Sequence, residues 1–340
     1  MDIHNLLTAF RNKRIIVIGD VMLDQYIWGV VERLSPEAPV PVIEVKREEY
    51  RLGGAANVAL NLAALGAVPL LVGVTGTDRY GETIRTLLQV AGVSSESAIS
   101  DEISVMGLFY DPDRPTTLKT RIGAASQQVV RLDYESREEI GRDITDSIIR
   151  FLQENIPTCD GIIFEDYNKG LITADLIEFV LRTARELGKQ VAVDPKHKNF
   201  FAYQGVYIFK PNLLELEKNL ALSIENEEQF VAAARQLQDR IKAEHIVITR
   251  GSKGLSIFDG QGGHHEIPAF AKEVWDVSGA GDTVISVLAL ASVCGLPIKE
   301  AAILANHAAG VVCSKHGTAS ATPGEIEASY HDHHQDQDAE

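Results

Sequence analysis

The stretch DVSGAGDT (276–283) sets Gly279, Ala280 and Gly281 beside Asp282 and runs straight into the apolar segment TVISVLALASVCGL. Side chains this small let a ligand approach the backbone N–H groups closely. The first N–H groups of a helix lack intrahelical acceptors and lie at the positive end of its dipole, so an anion is held there without any lysine. Asp282 has two available jobs in that first turn. It can cap the helix, or it can take a proton from a substrate hydroxyl while the N–H groups stabilise a transferring phosphoryl group. The motif alone leaves both open.

Four further stretches carry residue types of the same kind. RLGGAANVALNLAALGA (51–67) puts Gly53 and Gly54 before a helix whose first turn holds Asn57, although a plain glycine turn gives the same dipeptide. GDVMLDQY (19–26) places Asp20 and Asp24 after the first strand, so at least one carboxylate lies at the ligand edge, able to accept bonds from sugar hydroxyls. KPNLLE (210–215) sets Asn212 and Glu215 three apart, on one helix face, a pair suited to positioning a hydrated Mg²⁺. ITRGSKG (248–254) is a strand running into a glycine loop that offers Thr249, Gly251 and Lys253 to phosphates. No GxxxxGK[ST] loop occurs and no GxGxxG follows the first strand, which speaks against a P-loop enzyme and a dinucleotide-dependent dehydrogenase.

These stretches sit at the ends of short apolar runs: 14–21, 68–76, 161–167, 190–196, 206–212 and 245–251. Amphipathic segments such as Ala174–Gly188 and Ile224–Ala243 lie between them. Continuous apolar strands alternating with helices indicate an α/β fold with a mostly parallel sheet covered on both faces, and ligands bind at the carboxyl edge of such sheets. Residues 25–51 and 103–134 break the rhythm with alternating patterns and turn residues, and read as antiparallel strands. They pair with each other as a small separate sheet, or else form two surface hairpins. The economical organisation is one domain over 1–330 with this small discontinuous subdomain inserted, followed by a polar, frayed tail over 331–340 that contains His331, His333 and His334.

Bulk properties narrow the class. The 340 residues carry 32 Lys plus Arg against 48 Asp plus Glu, a formal charge of −16 that excludes a general polyanion-binding surface but not a local phosphate pocket. Cys159, Cys294 and Cys313 are far apart with no CxxC, which suits a reducing compartment and points to neither zinc nor disulfides. The N-terminus has no signal-peptide core, and Thr283–Leu296 is too short to span a bilayer, so a cytoplasmic protein without membrane or nucleic-acid partners is expected.

The order of the five stretches resembles the ribokinase-like (PfkB) family of carbohydrate kinases across nearly the whole chain. GGAANVALNLAALGA followed by VGVTGTDRYG is similar to that family's N-terminal signature, and DVSGAGDTVISVLAL to its C-terminal one. The segments 31–45, 116–135, 165–171 and 194–212 are similar to the branch that phosphorylates D-glycero-β-D-manno-heptose 7-phosphate for ADP-heptose and lipopolysaccharide synthesis. Many members of that branch continue into an adenylyltransferase with an HxGH motif. This chain contains none, so it reads as the free-standing form, with adenylylation left to a separate protein. Ser278 stands where relatives commonly carry Thr, and Glu165 where they often carry a small polar residue.

The resemblance implies a three-layer α/β/α domain with a small β-sheet lid, an ATP-dependent sugar kinase and a set of roles. Asp282 would deprotonate the anomeric hydroxyl, with the N–H groups of Gly279–Asp282 as anion hole. Asp24, Gly53, Gly54 and Asn57 would bind sugar hydroxyls. Asn212 and Glu215 would order Mg²⁺, Thr249, Gly251 and Lys253 would line the ATP phosphates, and Asn306 would lie near the adenine or ribose. Asp276, with carbonyls of Ser278 and of the 312–317 segment including Gly317, resembles a monovalent-cation (K⁺) site. For the substrate's phosphate the candidates are Lys119, Arg121, Lys169, Lys196, Arg33 and Arg51, with Lys119 and Arg121 preferred because alternate positions share a strand face. Lids of this family often pair between subunits, which implies a homodimer. A kinase for a fructose or tagatose phosphate and a non-catalytic sugar or nucleotide sensor remain as rivals.

Overall fold

The computed structural model describes residues 3–93, 107–124, 127–271 and 274–338. Its centre is β1 (Arg14–Gly19), whose side chains alternate between two cores: Ile15 and Val17 enter one, Ile16 and Ile18 the other. A period of two delivers apolar groups to both faces, so a strand this hydrophobic must be covered on each side. Parallel neighbours flank it, β4 (Val68–Thr75) on one side and β8 (Gly161–Glu165) on the other. The sheet extends from β8 through β9 (Gln190–Asp194), β10 (Ile208–Phe209) and β11 (His245–Thr249), all parallel. An antiparallel edge, β12 (Leu255–Asp259) and β13 (His264–Ile267), completes the nine strands at that end. All six apolar runs are strands, and the two amphipathic segments are helices α5 (Ala174–Glu186) and α7 (Glu227–Ile241).

Helices α2 (Ala55–Ala64), α8 (Ala280–Val293) and α9 (Ile298–Cys313) cover one face, and α4 (Arg142–Asn155), α5 and α7 the other. Helix α8 is buried from Asp282 to Ser292 without interruption. A helix that is apolar all round belongs inside a core, and this one is pinned there. The Thr283 hydroxyl donates to Asn61 Oδ1 on α2 at 2.8 Å, and Ser286 bonds back to the Asp282 carbonyl at 2.7 Å.

The two rhythm-breaking regions do pair with each other. β2 (Val21–Leu34), β3 (Pro41–Gly54), β6 (Thr117–Ala124) and β7 (Gln127–Tyr134) form a separate four-stranded sheet in the order β3-β2-β6-β7. Its centre is the parallel pair β2–β6, where antiparallel strands were expected throughout. Part of the second region goes elsewhere: β5 (Leu108–Tyr110) joins the large sheet parallel to β4, because its Leu108 and Phe109 are core residues. Residues 103–106 and 125–126 of that region lie outside the described residues. The tail also differs from expectation. Helix α10 (Pro323–Asp338) runs through it, because Tyr330 and His333 pack against His307, and His333 also lies on Phe270 at 4.4 Å between ring centres. Among the described residues no helix is long and apolar enough to cross a membrane.

Candidate active site

Gly279 opens α8 in the left-handed region, at φ 80°, with no side-chain cap. A Cβ there would come within 2.8 Å of Asn57 Nδ2, so both the conformation and the space require glycine. Asp282 therefore does not cap its own helix. Its Oδ2 accepts from Asn57 Nδ2 at 2.6 Å and its Oδ1 from the Tyr167 hydroxyl at 3.1 Å. Burial pushes its carboxyl up to about 6, and nearby Asp194 adds to the rise, while Asn57, Tyr167 and Lys210 oppose it. The Ala280 N–H is already spent on the Val277 carbonyl at 3.2 Å, so Gly281 and Asp282 supply the anion-facing N–H groups of this turn.

Beneath this turn lie the carboxyl ends of the central strands. Glu165 ends β8 and Asp194 ends β9, side by side in register. Lys210 Nζ sits 2.7 Å from Asp194 Oδ2. A Cβ placed on Gly281 would be 3.6 Å from Lys210 Nζ and 3.7 Å from Asp194 Oδ2, which puts this pair against the helix mouth. Of the two acids that follow β1, Asp20 is buried as a clamp. It accepts from the N–H groups of Tyr167, Lys169 and Leu171 at 2.8, 3.0 and 3.4 Å, and so fixes the loop that carries Tyr167.

On the lid side, Gly54 takes φ 58° and a Cβ there would strike the Asp20 carbonyl at 2.4 Å. A Cβ on Gly53 would strike Asp24 Oδ2 at 2.7 Å. These glycines let the lid strands meet tightly beside Asn57. Asp24 accepts from Arg121. Lys119, on the same strand face as Arg121, pairs with Asp133 at 3.4 Å and Glu135 at 3.2 Å, and Lys169 reaches the same Glu135 at 2.6 Å. Arg51 turns away to the carbonyls of His316 and Thr318, and Arg33 is exposed at the far end of β2.

A cavity of about 500 Å³ opens on the other side of the helix mouth, lined by Thr249, Gly251, Ala280, Gly281 and Asn306. The Asn306 amide donates to the Pro268 carbonyl and holds the cavity wall. Lys253 is exposed and does not line this space. Asn212 and Glu215 close a capping box on α6 (Leu213–Leu220): Asn212 Oδ1 takes the Glu215 N–H at 2.8 Å, and Glu215 Oε2 takes the Asn212 N–H at 2.9 Å. Glu215 also holds Lys196, whose Nζ lies 5.1 Å from the centre of the Tyr167 ring. Asp276 ties the two loops behind the helix mouth, accepting from the N–H groups of Ser278 at 2.9 Å and Gly317 at 3.0 Å.

Sequence reasoning assigned no role to Tyr167, Asp194 or Lys210, and noted Glu165 only as a departure. A signal was present, since GIIFED and QVAVDPK are neighbouring strands that both end in acids. The chain order did not reveal that they are adjacent.

The family model for pfkB family carbohydrate kinases matches residues 12–324. The bifunctional protein HldE of Geotalea uraniireducens is 43% identical over 338 residues, covering 99% of this chain and 67% of that protein. The protein of the same name from Wolinella succinogenes is 40% identical, covering 98% of this chain and 68% of its own length. The chain thus spans about two thirds of these relatives. Among solved structures, Arabidopsis thaliana ribokinase complexed with ribose and ATP superposes with TM-score 0.73 at 19% identity, covering 94% of this chain and 98% of that one. Escherichia coli phosphofructokinase-2 in complex with potassium gives 0.75 at 17%, with the same coverage. At such identities these two structures speak for the fold.

Proposed function

The chain belongs to the pfkB family of carbohydrate kinases and is a sugar kinase, and from that premise we propose that it transfers the γ-phosphoryl group of ATP to the anomeric hydroxyl of D-glycero-β-D-manno-heptose 7-phosphate. The product is the 1,7-bisphosphate, an intermediate on the way to ADP-heptose. One observation carries the reading: Asp282 is held by Asn57 and Tyr167 at a helix mouth with open N–H groups, next to Ala280 and Gly281 that line the cavity.

In this scheme the sugar lies under the lid against Asp24, Gly53, Gly54 and Asn57. ATP fills the cavity with its phosphates toward Thr249 and Gly251. Asp282 accepts the hydroxyl proton as that oxygen bonds to the γ-phosphorus, and the bond from phosphorus to the ADP oxygen breaks in line. The N–H groups of Gly281 and Asp282, with Lys210 behind them, stabilise the charge on the transferring group. Mg²⁺ would neutralise phosphate charge. Asn212 and Glu215 are committed to the capping box, and so meet a hydrated ion only through waters. Asp276, Ser278 and Gly317 form one closed loop junction suited to the K⁺ role.

Lys119, Arg121 and Lys169 would receive the 7-phosphate, with their carboxylate partners yielding to it. The exposed apolar residues Val129, Val130 and Leu132 on β7 and Val30, Val31 and Leu34 on β2 suit a homodimer through the lid. Purified protein is tested by coupled ADP release against heptose 7-phosphate and against fructose and tagatose phosphates. Preference for the heptose, by at least about tenfold in kcat/KM, is expected. Preference for a hexose phosphate would retire the heptose assignment and leave the kinase standing.

A further inference from the structure

Three buried carboxylates converge on the cleft floor, one oxygen from each of Glu165, Asp194 and Asp282 lying within 4.8 Å of the others. Acids in a cluster are unremarkable when each has its donors. Asp282 has Asn57 and Tyr167, and Asp194 has Lys210. Glu165 is different. It is 0% exposed, and neither of its oxygens meets a hydrogen-bond donor. Leaving a buried carboxylate ionised without a partner costs several kcal/mol after relaxation, so the position calls for a cation or a proton.

The backbone fixes where Glu165 sits. It ends β8 between Gly19 and Asp194, and a Cβ on Gly19 would come within 2.8 Å of the Glu165 Cβ. Charge gives the next clue. The three acids bring three negative charges and Lys210 returns one positive, while nearby Lys196 is neutralised by Glu215, which leaves the deficit that one divalent ion fills.

We propose that Glu165 and Asp194 are direct ligands of a divalent cation, Mg²⁺ in the working enzyme, seated on the cleft floor and apart from the water-mediated contact of Asn212 and Glu215. Mg²⁺ typically takes one or two carboxylates together with waters and substrate phosphates, and two oxygens on opposite sides of it stand about 4.2 Å apart. The three oxygens lie within 4.8 Å of one another, close enough to share one ion. Asp282 faces the ion while keeping both of its donors, and so remains the proton acceptor. Asp194 adjoins the Gly281 mouth, which places the ion within reach of a phosphate held there. The inference rests on the proposed phosphotransfer only for that phosphate ligand. Ion binding itself is measured without nucleotide or sugar, so the two fail separately.

Mn²⁺ is titrated into the full chain without nucleotide and the free ion is followed by electron paramagnetic resonance. The wild type takes up one Mn²⁺ per chain, displaced by Mg²⁺. Glu165→Gln weakens this uptake by about tenfold or more, and Glu165→Asp, which retracts the carboxylate, weakens it less. Glu215→Gln leaves it within about twofold, as a water-mediated contact away from this ion should. Thermal unfolding in metal-free buffer serves as the control: Glu165→Gln removes a buried charge, so its Tm matches or exceeds the wild type. Uptake unchanged in Glu165→Gln, or no uptake by the wild type, overturns the proposal and leaves Glu165 a neutral carboxyl.

Discussion

The cleft floor and the lid hold similar numbers of charges in opposite ways. On the lid side, among the described residues, the cations at the cleft have carboxylate partners: Arg121 with Asp24, Lys119 with Asp133 and Glu135, Lys169 with Glu135. Burial alone would raise Glu135, yet Lys169 and Lys119 hold it down at about 2. On the floor, acids outnumber cations and burial wins, raising Asp282 to about 6 and pushing Glu165 well above the usual carboxylate range. The difference teaches what each region is built to receive. The side chains of these lid pairs are only 5–25% exposed, so an arriving anionic sugar must replace a carboxylate like for like to leave no buried cation unpaired. The floor has no such exchange to offer and needs a positive charge brought to it.

The contrast breaks first at its structural root. Asp20 joins floor to lid by holding the N–H groups of Tyr167, Lys169 and Leu171. Asp20→Ala leaves these donors unmet and is expected to cost about 3 kcal/mol or more in chemical denaturation. Its pH dependence sharpens the point. The folded-state carboxyl lies at about 6, above the ordinary 3.8, so the native protein holds that proton more firmly than the unfolded chain. The Asp20 contribution to stability is therefore largest below about pH 4 and falls as pH rises to about 6. Stability curves of wild type and Asp20→Asn between those limits read it out.

At the helix mouth, Gly279→Ala forces a Cβ against Asn57 and strains a left-handed backbone. The displaced Asn57 frees Asp282, and kcat should drop roughly 10²-fold, the scale of a lost transition-state donor. On the lid, Lys119→Ala and Arg121→Ala should each raise KM for the phosphosugar about tenfold, with kcat less affected. Equal loss toward a dephosphorylated sugar would contradict their assignment to the phosphate. The smallest effect belongs to Tyr167→Phe. Its hydroxyl lowers Asp282, so removing it should move the acid limb of the kcat/KM profile, near 6, to higher pH.

The layered fold was legible because each central strand is a short apolar run ending in Gly, Asp, Asn or Pro, a pattern that survives in one dimension. The helix mouth was legible for the same reason, its parts being contiguous from Gly279 to Asp282. What escaped is what the crossovers create. Glu165 and Asp194 are 29 positions apart in chain number yet adjacent in register. Lys196 and Glu215 read as independent ligands, but in the fold each satisfies the other. The parallel pairing of β2 with β6 was hidden because alternation fixes which face a side chain takes and not the direction of the neighbouring strand.

The account stands on Asp282 as proton acceptor, and Asp282→Asn tests that most directly, since the amide keeps the shape and loses the base. Rapid-quench phosphoryl transfer and equilibrium sugar binding are measured on the same preparation. Binding within a few fold of wild type, with transfer slowed by roughly 10²- to 10⁴-fold, is the predicted result. Transfer at the wild-type rate with sugar bound would contradict the assignment.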